Sequence, residues 1–416
     1  MGEAAYLNNP PAARQAQKPR PARLWLDVPL VIAIAALVIF GLLMVYSASW
    51  NFAIRAFDSA SYIVVNQIRW VLVGIAAAAI LSRLNYHRLT NLALPIMGLT
   101  LILLILVFLI GDSGFSTNRA LFKGSVQPSE LAKLALIIYL SVWLNTKREL
   151  LNSLSLGLFP LMTIIGFLVA LIMLQPDFSA ALTVFLIGIM LFVLAGGEIR
   201  HIVMLFIFTA VIGAFLYLIS SKVQTRIQDY IFGLLNPQEA SYHIQRCTEA
   251  IIRGGFFGVG IGKGTTKFTN LPVPWTDSIF AIIAEETGLL GGMLVVGLYL
   301  TLLWRGLAIA RRAPDELGQL LASGITLWIV TEALINVGVI VNLVPFAGNA
   351  LPLISAGGSN MVTTLAAIGI LMNISRSTSV GDEKKEERRP FSAIVDLRRR
   401  DRGRRVSRPV RPAGTR

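Results

Sequence analysis

The sequence predicts an all-α polytopic membrane protein with about ten transmembrane helices. Charged residues make up only 14% of the 416 residues and apolar residues 55%, and the mean hydropathy is +0.68. Soluble domains carry about 25% charged residues. This composition excludes an ordinary soluble enzyme, a disordered chain and a collagen-like fibre, and the length accommodates ten spans of roughly 20 residues each.

The apolar residues are grouped in runs that are long enough to cross a lipid bilayer. Within lipid such runs must be helical, because an open segment of any other structure leaves backbone hydrogen bonds unsatisfied. The ten runs lie at about 28–49, 66–82, 91–110, 130–144, 156–174, 178–196, 201–220, 278–304, 319–341 and 350–374.

The distribution of Lys and Arg predicts the orientation in the membrane. With the N-terminus inside, most of the 37 Lys and Arg residues lie on the inner side, as the positive-inside rule requires. Both termini are then cytoplasmic. We expect a basic N-terminal tail (1–26), a transmembrane domain (27–376) and a disordered basic C-terminal tail (377–416). Because the basic charge is concentrated at the chain ends, no nucleic acid is expected as a partner.

A large outer loop, about 221–277, lies between spans seven and eight. Ile227, Tyr230, Ile231 and Leu234 recur at helical spacing, which predicts a short helix lying on the membrane surface. A second helix is predicted at 240–253, ended by the glycines that follow it.

Cysteine and histidine usage provides no metal site. Cys247 is the single cysteine, so no intrachain disulfide or thiolate cage forms. The histidines His87, His201 and His243 lie far apart in the sequence and lack the spacing of a zinc site.

Two polar clusters mark outer ends of predicted spans. In the first, QPSE (127–130), Pro128 suits the first turn of a helix, and Glu130 can pair with Lys133 three residues later. This cluster is either a capped helix start or a site that faces an anion. In the second, Asp177 follows a tight outer turn and either caps the next helix or has a functional role.

The stretch GGFFGVGIGKG (254–264) is rich in glycine but is not a nucleotide-binding loop. The phosphate-loop pattern fails because Gly264 stands where Ser or Thr is needed and Phe257 where Gly is needed. We interpret it as a flexible loop whose bare amides and Lys263 approach a lipid phosphate.

Carboxylates follow at the start of the eighth span. Thr276 is expected to cap this helix and Asp277 to lie in its first turn. Glu285 lies roughly 12 Å deeper along the same helix, beside Glu286. Carboxylates within a membrane are costly and therefore mark functional sites by default.

The last cluster combines polar side chains with Pro and Gly between spans nine and ten. Glu332 and Asn336 are one turn apart, and Pro345 and Ser355 lie in a segment dense in Pro and Gly. This pattern predicts a broken or re-entrant segment over about 342–358 that lines a cavity.

With these clusters in order, the chain from about 28 to 376 resembles the SEDS family of cell-wall proteins, the FtsW, RodA and SpoVE type. The matching stretches are QPSELAK (127–133), QPD (175–177), GGFFGVGIGKG (254–264), LPVPWTDSIFAIIAEETGLLGG (271–292), INVGV (335–339) and LPLISAGGSN (351–360). The resemblance implies a multi-pass protein of the bacterial cytoplasmic membrane. It also implies a peptidoglycan glycosyltransferase that polymerises lipid II, the undecaprenyl-pyrophosphate disaccharide-peptide, at the outer face.

The resemblance also implies roles and partners. Asp277 falls on the residue regarded as catalytic, and the acidic pair that follows falls on Glu285 and Glu286. The expected partners are lipid II, a class B penicillin-binding protein and other membrane proteins of division or elongation. A divalent cation, Mg²⁺ or Mn²⁺, is implied by the family and is not shown by the sequence. Several family positions differ here, including Glu332, where Gln is usual.

The chemistry assigns expected roles to the other residues. A sugar hydroxyl needs a base in the transition state, and Asp277 is the candidate. The pyrophosphate leaving group needs positive charge instead of an acid. The expected substrate-binding residues are Arg119, Lys123, Lys133, Asp177, Arg246, Lys263 and Ser355, and the expected supporting residues are Gln127, Glu130, Glu285, Glu286, Glu332 and Pro345.

Two other functions stay open from the sequence. A lipid II flippase agrees with the broken segment and the intramembrane carboxylates. A non-catalytic scaffold for the penicillin-binding protein agrees with the departures from the family motifs. The choice between a division and an elongation role is not decided by the motifs, although the long basic tails lean to the FtsW side.

Overall fold

The computed structural model describes residues 27–110, 127–151, 153–175, 177–219, 221–236, 240–269, 271–345 and 348–377. Among these residues the backbone forms helices, turns and loops, and no strand is present, which confirms the all-α prediction. The predicted tails and the candidate residues Arg119 and Lys123 lie outside the described residues.

Twelve α-helices follow one another along the described chain. Their bounds are α1 Val28–Phe57, α2 Tyr62–Arg83, α3 Arg88–Ile110, α4 Pro128–Thr146, α5 Phe159–Leu174, α6 Phe178–Leu194, α7 Ile199–Ile219, α8 Ser221–Leu235, α9 Tyr242–Gly254, α10 Ile279–Arg312, α11 Glu316–Ile340 and α12 Gly358–Ser377.

Each of the ten predicted apolar runs coincides with one of these helices. Six helices, namely α1, α2, α3, α10, α11 and α12, are long and apolar enough to cross a membrane, and α5, α6 and α7 contain shorter apolar segments. The chain is therefore a polytopic membrane protein, and the total of ten spans stays a prediction.

Helix starts follow the capping residues of the sequence. The Asp27 carboxylate accepts a hydrogen bond from the backbone N–H of Leu30 at the start of α1. Asp177 caps α6 and Asp315 caps α11 in the same way. Pro128 opens α4, where its missing N–H costs nothing. The predicted cap at Asp177 and the predicted helix start at Pro128 are confirmed.

The centre of the bundle is formed by α4, α11 and α12. Most of α11 and α12 is buried, whereas most of α2 faces outwards. Helix α4 packs against α3, α6 and α11, and α10 packs against α1, α9 and α11. The polar residues singled out on α4 and α11 therefore lie inside the protein and away from lipid.

The segment before α12 is not helical, so the predicted last run, 350–374, begins too early: α12 starts only at Gly358. Leu351, Leu353 and Ile354 are each at most 1% exposed. Non-helical backbone at membrane depth requires such burial within protein. Gly41 of α1 permits the close approach, because a Cβ there would lie 2.7 Å from the Cα of Ile354. The prediction of a broken segment is confirmed for its described residues, and the prediction that it lines a cavity stays a prediction.

The segment predicted as a large outer loop, about 221–277, contains both predicted short helices. Helix α8 covers Ile227 to Leu234, and α9 ends at Gly254 as the glycine pair predicts. Ile231 and Leu234 are exposed on α8, in keeping with the prediction that this helix lies on the membrane surface.

Candidate functional site

Asp277 lies just before α10 and not in its first turn. The helix begins at Ile279, with Ser278 in the capping position. The Thr276 hydroxyl donates to the carbonyl of Val273 instead of capping the helix. The expected cap at Thr276 is therefore wrong, because the chain is still turning at Thr276 and Asp277. Asp277 itself is partly exposed.

Backbone contacts from two other elements fix the position of Asp277. The Asn336 side chain on α11 donates to the Asp277 carbonyl at 2.9 Å. From the non-helical segment, the Ser355 hydroxyl donates to the Thr276 carbonyl at 2.7 Å, and the Ala356 N–H donates to the Trp275 carbonyl at 2.9 Å. The predicted residue Ser355 therefore holds the backbone next to Asp277. These three hydrogen bonds place the carboxylate-bearing residue where α10, α11 and the non-helical segment meet.

Ser278 and His243 connect the residue after Asp277 to the preceding loop and to α9. The Ser278 hydroxyl donates to the carbonyl of Pro272 at 2.9 Å and lies 3.2 Å from Nε2 of His243 on α9. Burial lowers the pKa of His243 from 6.5 to about 4, because removal from water disfavours the charged imidazolium. His243 is therefore neutral at pH 7.

Lys133 lies in a buried charge cluster. Its ammonium group pairs with Glu130 at 2.8 Å and with Glu332 of α11, and its side chain is 1% exposed. Asn360 of α12 donates to Glu130 at 2.9 Å. The predicted pairing of Glu130 and Lys133 is confirmed. The cluster connects α4, α11 and α12, and substrate binding by Lys133 stays a prediction.

The Lys133 cluster lies close to Asp277 through α11. Glu332 and Asn336 are one helical turn apart, roughly 6 Å along the axis. The Asn349 side chain also donates to the Glu332 carbonyl at 3.4 Å, and the Asn349 carbonyl accepts from Asn336. The structure therefore holds the backbone of the candidate base against α11 at Asn336, one turn from Glu332 of the buried lysine cluster.

Gln127 and Asp177 join the N-terminal ends of α4 and α6. The Gln127 side chain donates to Asp177 at 2.8 Å, and the Ser129 hydroxyl does so at 3.1 Å. Asp177 also caps α6 by accepting from the N–H of Ala180 at 3.2 Å. The Gln127 N–H donates to Ser359 at the start of α12. Asp177 is 3% exposed, so its described contacts serve to connect helices.

Glu285 and Glu286 bind the glycine-rich loop. Glu285 accepts from the backbone N–H groups of Thr265 and Thr266. Glu286 accepts from the N–H of Gly262 at 2.9 Å. The expectation that bare amides of this loop approach a lipid phosphate is therefore wrong for Gly262, because its amide is already bonded to a carboxylate.

Lys267 completes this arrangement and was missed by the sequence analysis. Its ammonium group pairs with Glu286 at 2.6 Å, and Ser47 of α1 donates to the same carboxylate at 2.7 Å. No motif marks Lys267, because it lies in a loop far from its partner in sequence. Glu285 and Glu286 thus stabilise the loop between α9 and Asp277.

The glycine-rich loop also packs against a break in α10. Gly288 has φ +69° and ψ −169°, outside the helical region. The freed carbonyls of Glu285 and Glu286 accept from Val259 and Gly260, both at 3.0 Å. The Leu289 N–H donates to the Gly255 carbonyl at 2.9 Å. The glycines are needed here because a Cβ at Gly288 would lie 2.4 Å from the Gly258 nitrogen.

The remaining predicted residues lie at the protein surface, on α9, in the glycine-rich loop and after α11. Arg246 pairs with Glu249 on α9 at 2.7 Å and stacks over the ring of Tyr242. Lys263 is exposed in the glycine-rich loop, and Pro345 is exposed after α11. Their predicted roles in substrate binding or support stay predictions.

Within the described ranges, no three His, Cys, Asp or Glu side chains lie close enough to hold a metal ion. Mg²⁺ is commonly bound by one carboxylate together with substrate phosphates, and the partly exposed Asp277 provides one such carboxylate.

Comparison with known proteins relates the whole helical domain to one group. A family model described as cell cycle protein, covering FtsW, RodA and SpoVE, matches residues 28–380. A probable peptidoglycan glycosyltransferase FtsW of Geobacter metallireducens is 35% identical, over 84% of this chain and 94% of that protein. Stage V sporulation protein E of Bacillus subtilis is also 35% identical, over 84% of this chain and 96% of that protein.

Solved structures agree with these relatives. A chain of a peptidoglycan synthase complex, described as coordinating polymerization and crosslinking, matches with a TM-score of 0.71 and 27% identity, covering 85% of this chain and 98% of that chain. The rod shape determining protein RodA of Thermus thermophilus matches with a TM-score of 0.62 and 26% identity, covering 86% of this chain and 99% of that chain.

Proposed function

The chain belongs to the FtsW, RodA and SpoVE family of cell cycle proteins, and from this premise we propose that it is a peptidoglycan glycosyltransferase that polymerises lipid II. The names of its relatives support this activity. The single structural observation that carries the mechanism is the backbone clamp that holds Asp277 between α11 and the non-helical segment.

In the proposed reaction, Asp277 acts as the general base. The acceptor sugar hydroxyl attacks the anomeric carbon of the donor, the new glycosidic C–O bond forms, and the bond to the lipid pyrophosphate breaks. Asp277 takes the hydroxyl proton as the nucleophile attacks. A well-placed base contributes roughly 10²–10⁴ in rate. Partial exposure of Asp277 leaves room for an incoming sugar.

The departing pyrophosphate carries its negative charge away without an added proton. Cationic side chains of the outer loops stabilise that charge. Among the described residues, Lys263 is exposed in the outer loop, and Arg246 lies on α9 with its charge shared with Glu249. Lys133 is already neutralised by Glu130 and Glu332, so in this proposal it supports the site and does not bind pyrophosphate directly.

A divalent cation fits the same proposal. When bound, Mg²⁺ or Mn²⁺ would neutralise pyrophosphate charge beside a carboxylate, and Asp277 is the residue that would hold it. Strand synthesis is then expected to stop on chelation by EDTA and to return on addition of Mg²⁺.

The proposal also includes a partner protein and a location in the cell. The matched peptidoglycan synthase complex joins polymerization to crosslinking, which supports a class B penicillin-binding protein as the partner. The apolar helices and the Lys and Arg distribution support a multi-pass protein of the bacterial cytoplasmic membrane with both termini cytoplasmic.

Purified protein in vesicles with lipid II distinguishes the proposed enzyme from the flippase and the scaffold. Lipid II is placed on the face that carries the large outer loop, and glycan strands are measured with and without the penicillin-binding protein. Strand growth from that lipid II supports the enzyme. Transfer of lipid II between leaflets without strand growth would favour the flippase. The absence of both activities, with the partner bound, would favour the scaffold.

A further inference from the structure

We propose that the turn at Phe256 and Phe257 is a membrane anchor that inserts into the phospholipid leaflet on the side of the large outer loop. Phe256 and Phe257 are 69% and 81% exposed. They lie in the loop that follows helix α9. Contiguous exposed apolar side chains mark surfaces that contact a membrane, a ligand or another protein. Nothing in the reaction proposed for Asp277 uses them.

The anchor is attached directly to a membrane-spanning helix. The N–H groups of Leu289 and Leu290 in α10 donate to the carbonyls of Gly255 and Phe256 at 2.9 and 3.3 Å. A Cβ at Gly254 would lie 1.9 Å from the Ala284 carbonyl oxygen, so the end of α9 touches α10 backbone to backbone. The Phe256 turn is therefore held at a fixed level on α10.

Helix α1 defines that level relative to the membrane. Ser47 bonds to Glu286, which lies just before the break in α10. Ser47 follows Val28 at the start of α1 by roughly 28 Å along the helix axis, at about 1.5 Å per residue. The hydrocarbon core of a bilayer is roughly 30 Å thick, so Ser47 and Glu286 lie near one of its edges.

Helix α10 is consistent with this level. Arg305 donates to Asp27, the cap of α1, at 2.9 Å, so these two residues mark the opposite edge. Gly288 lies roughly 26 Å from Arg305 along α10 by the same rise per residue. Both helices thus place the Phe256 turn at the boundary between hydrocarbon and headgroups, where aromatic side chains are enriched.

The apolar surface continues from the turn onto exposed residues of α10. Leu289, Leu290, Met293 and Leu294 are exposed along that helix. Near the turn, Ile261 is exposed as well, and Lys263 presents an exposed ammonium group. An apolar surface with a cation beside it suits acyl chains below and phosphate headgroups above. Continuity with the exposed apolar surface of α10, a helix long and apolar enough to cross a membrane, is what selects lipid as the occupant.

The test is the depth of a fluorescent label. In Phe257→Cys, the introduced cysteine is labelled with the dye NBD after reconstitution into bilayers of phosphatidylethanolamine and phosphatidylglycerol. Native Cys247 is fully buried, and unsubstituted protein measures its background labelling. Ser61→Cys, exposed in the turn between α1 and α2, is the control for a position in water. Phe256→Cys serves as a second variant in case Phe257→Cys does not fold.

If Phe257 inserts into the leaflet, the emission maximum of the NBD label at position 257 should be blue-shifted relative to the label at position 61. Insertion also predicts quenching by lipids with a nitroxide on the upper acyl chain, and protection from aqueous iodide. Iodide quenching as strong as at position 61 would overturn the proposal. Protection from iodide only after a penicillin-binding protein is added would also overturn it, because the occupant would then be a protein. Neither readout depends on strand synthesis, so failure here is distinct from failure of the proposed enzyme.

Discussion

The Asn336 side chain donates a hydrogen bond to the backbone carbonyl of Asp277 at 2.9 Å, across a separation of 59 residues in sequence. The same amide donates to the carbonyl of Asn349. One buried side chain on α11 thus joins the start of α10 to the non-helical segment before α12. The position of the proposed base depends on this contact.

Replacement of Asn336 should therefore reduce catalysis more than it reduces stability. In Asn336→Ala, two carbonyls lose their donor, and the backbone at Asp277 loses one of the three hydrogen bonds that position it. We expect strand synthesis to fall roughly 10-fold or more, because small displacements of reacting groups are costly in rate. Asn373→Ala is the matched control, since it removes two amide hydrogen bonds at another place in the fold: the Asn373 side chain donates to the Ser82 carbonyl and accepts from the Tyr86 N–H. An equal loss of activity in both variants would contradict the positioning role.

Substitution of Gly288 and of Gly297, both in α10, should affect stability differently. Gly288→Ala should lower the free energy of unfolding by roughly 1–3 kcal/mol or more, because φ +69° with extended ψ is strained for any residue with a Cβ. Gly297→Ala should be neutral or stabilising, because nothing lies within 4 Å of its Cβ position. Thermal unfolding in detergent measures both variants. Equal stability of the two would show that the loop does not depend on the break.

The buried cluster around Lys133 should respond unequally to loss of its members. Lys133→Met leaves Glu130 and Glu332 without their buried cation, which typically costs 3–5 kcal/mol. Glu332→Gln keeps a carbonyl acceptor for Lys133 and leaves the Glu130 pair intact, so its cost should be smaller. Unfolding in denaturant compares the two variants with the unsubstituted protein. A Glu332→Gln variant as unstable as Lys133→Met would contradict this account.

The free energy of unfolding should depend on pH because of His243. Its pKa in the folded protein is about 4 against 6.5 when unfolded, so between these values the unfolded chain binds the extra proton. Stability from this group is complete above pH 6.5 and falls as the pH drops towards 4. In His243→Gln the melting temperature should decline less over that interval. An unchanged decline in the variant would assign the pH dependence to other groups.

The sequence predicts well what depends on neighbouring residues. Apolar runs become helices, Asp177 caps α6, Pro128 opens α4, and Glu130 pairs with Lys133 one turn away. Each of these features is determined by a few consecutive residues. Local patterns therefore sufficed for the helices and for half of the lysine cluster.

Contacts between distant parts of the chain were not predictable in this way. Glu332 meets Lys133 from 199 residues away, and Lys267 meets Ser47 from 220 residues away. The prediction of free amides in the glycine-rich loop was wrong for Gly262, which donates to the Glu286 carboxylate. The Val259 and Gly260 amides donate to carbonyls that are freed where α10 breaks at Gly288. These partners are decided by helix packing, which single-sequence patterns do not report.

The most direct test of the central claim compares Asp277→Asn with unsubstituted protein in a lipid II polymerisation assay. Asn keeps the size of the side chain and its backbone contacts but accepts no proton. At equal amounts of folded, membrane-inserted protein, the account predicts that strand synthesis falls by at least ~10², the usual contribution of a general base. A variant that polymerises lipid II at nearly the unsubstituted rate would contradict the assignment of Asp277 as the base.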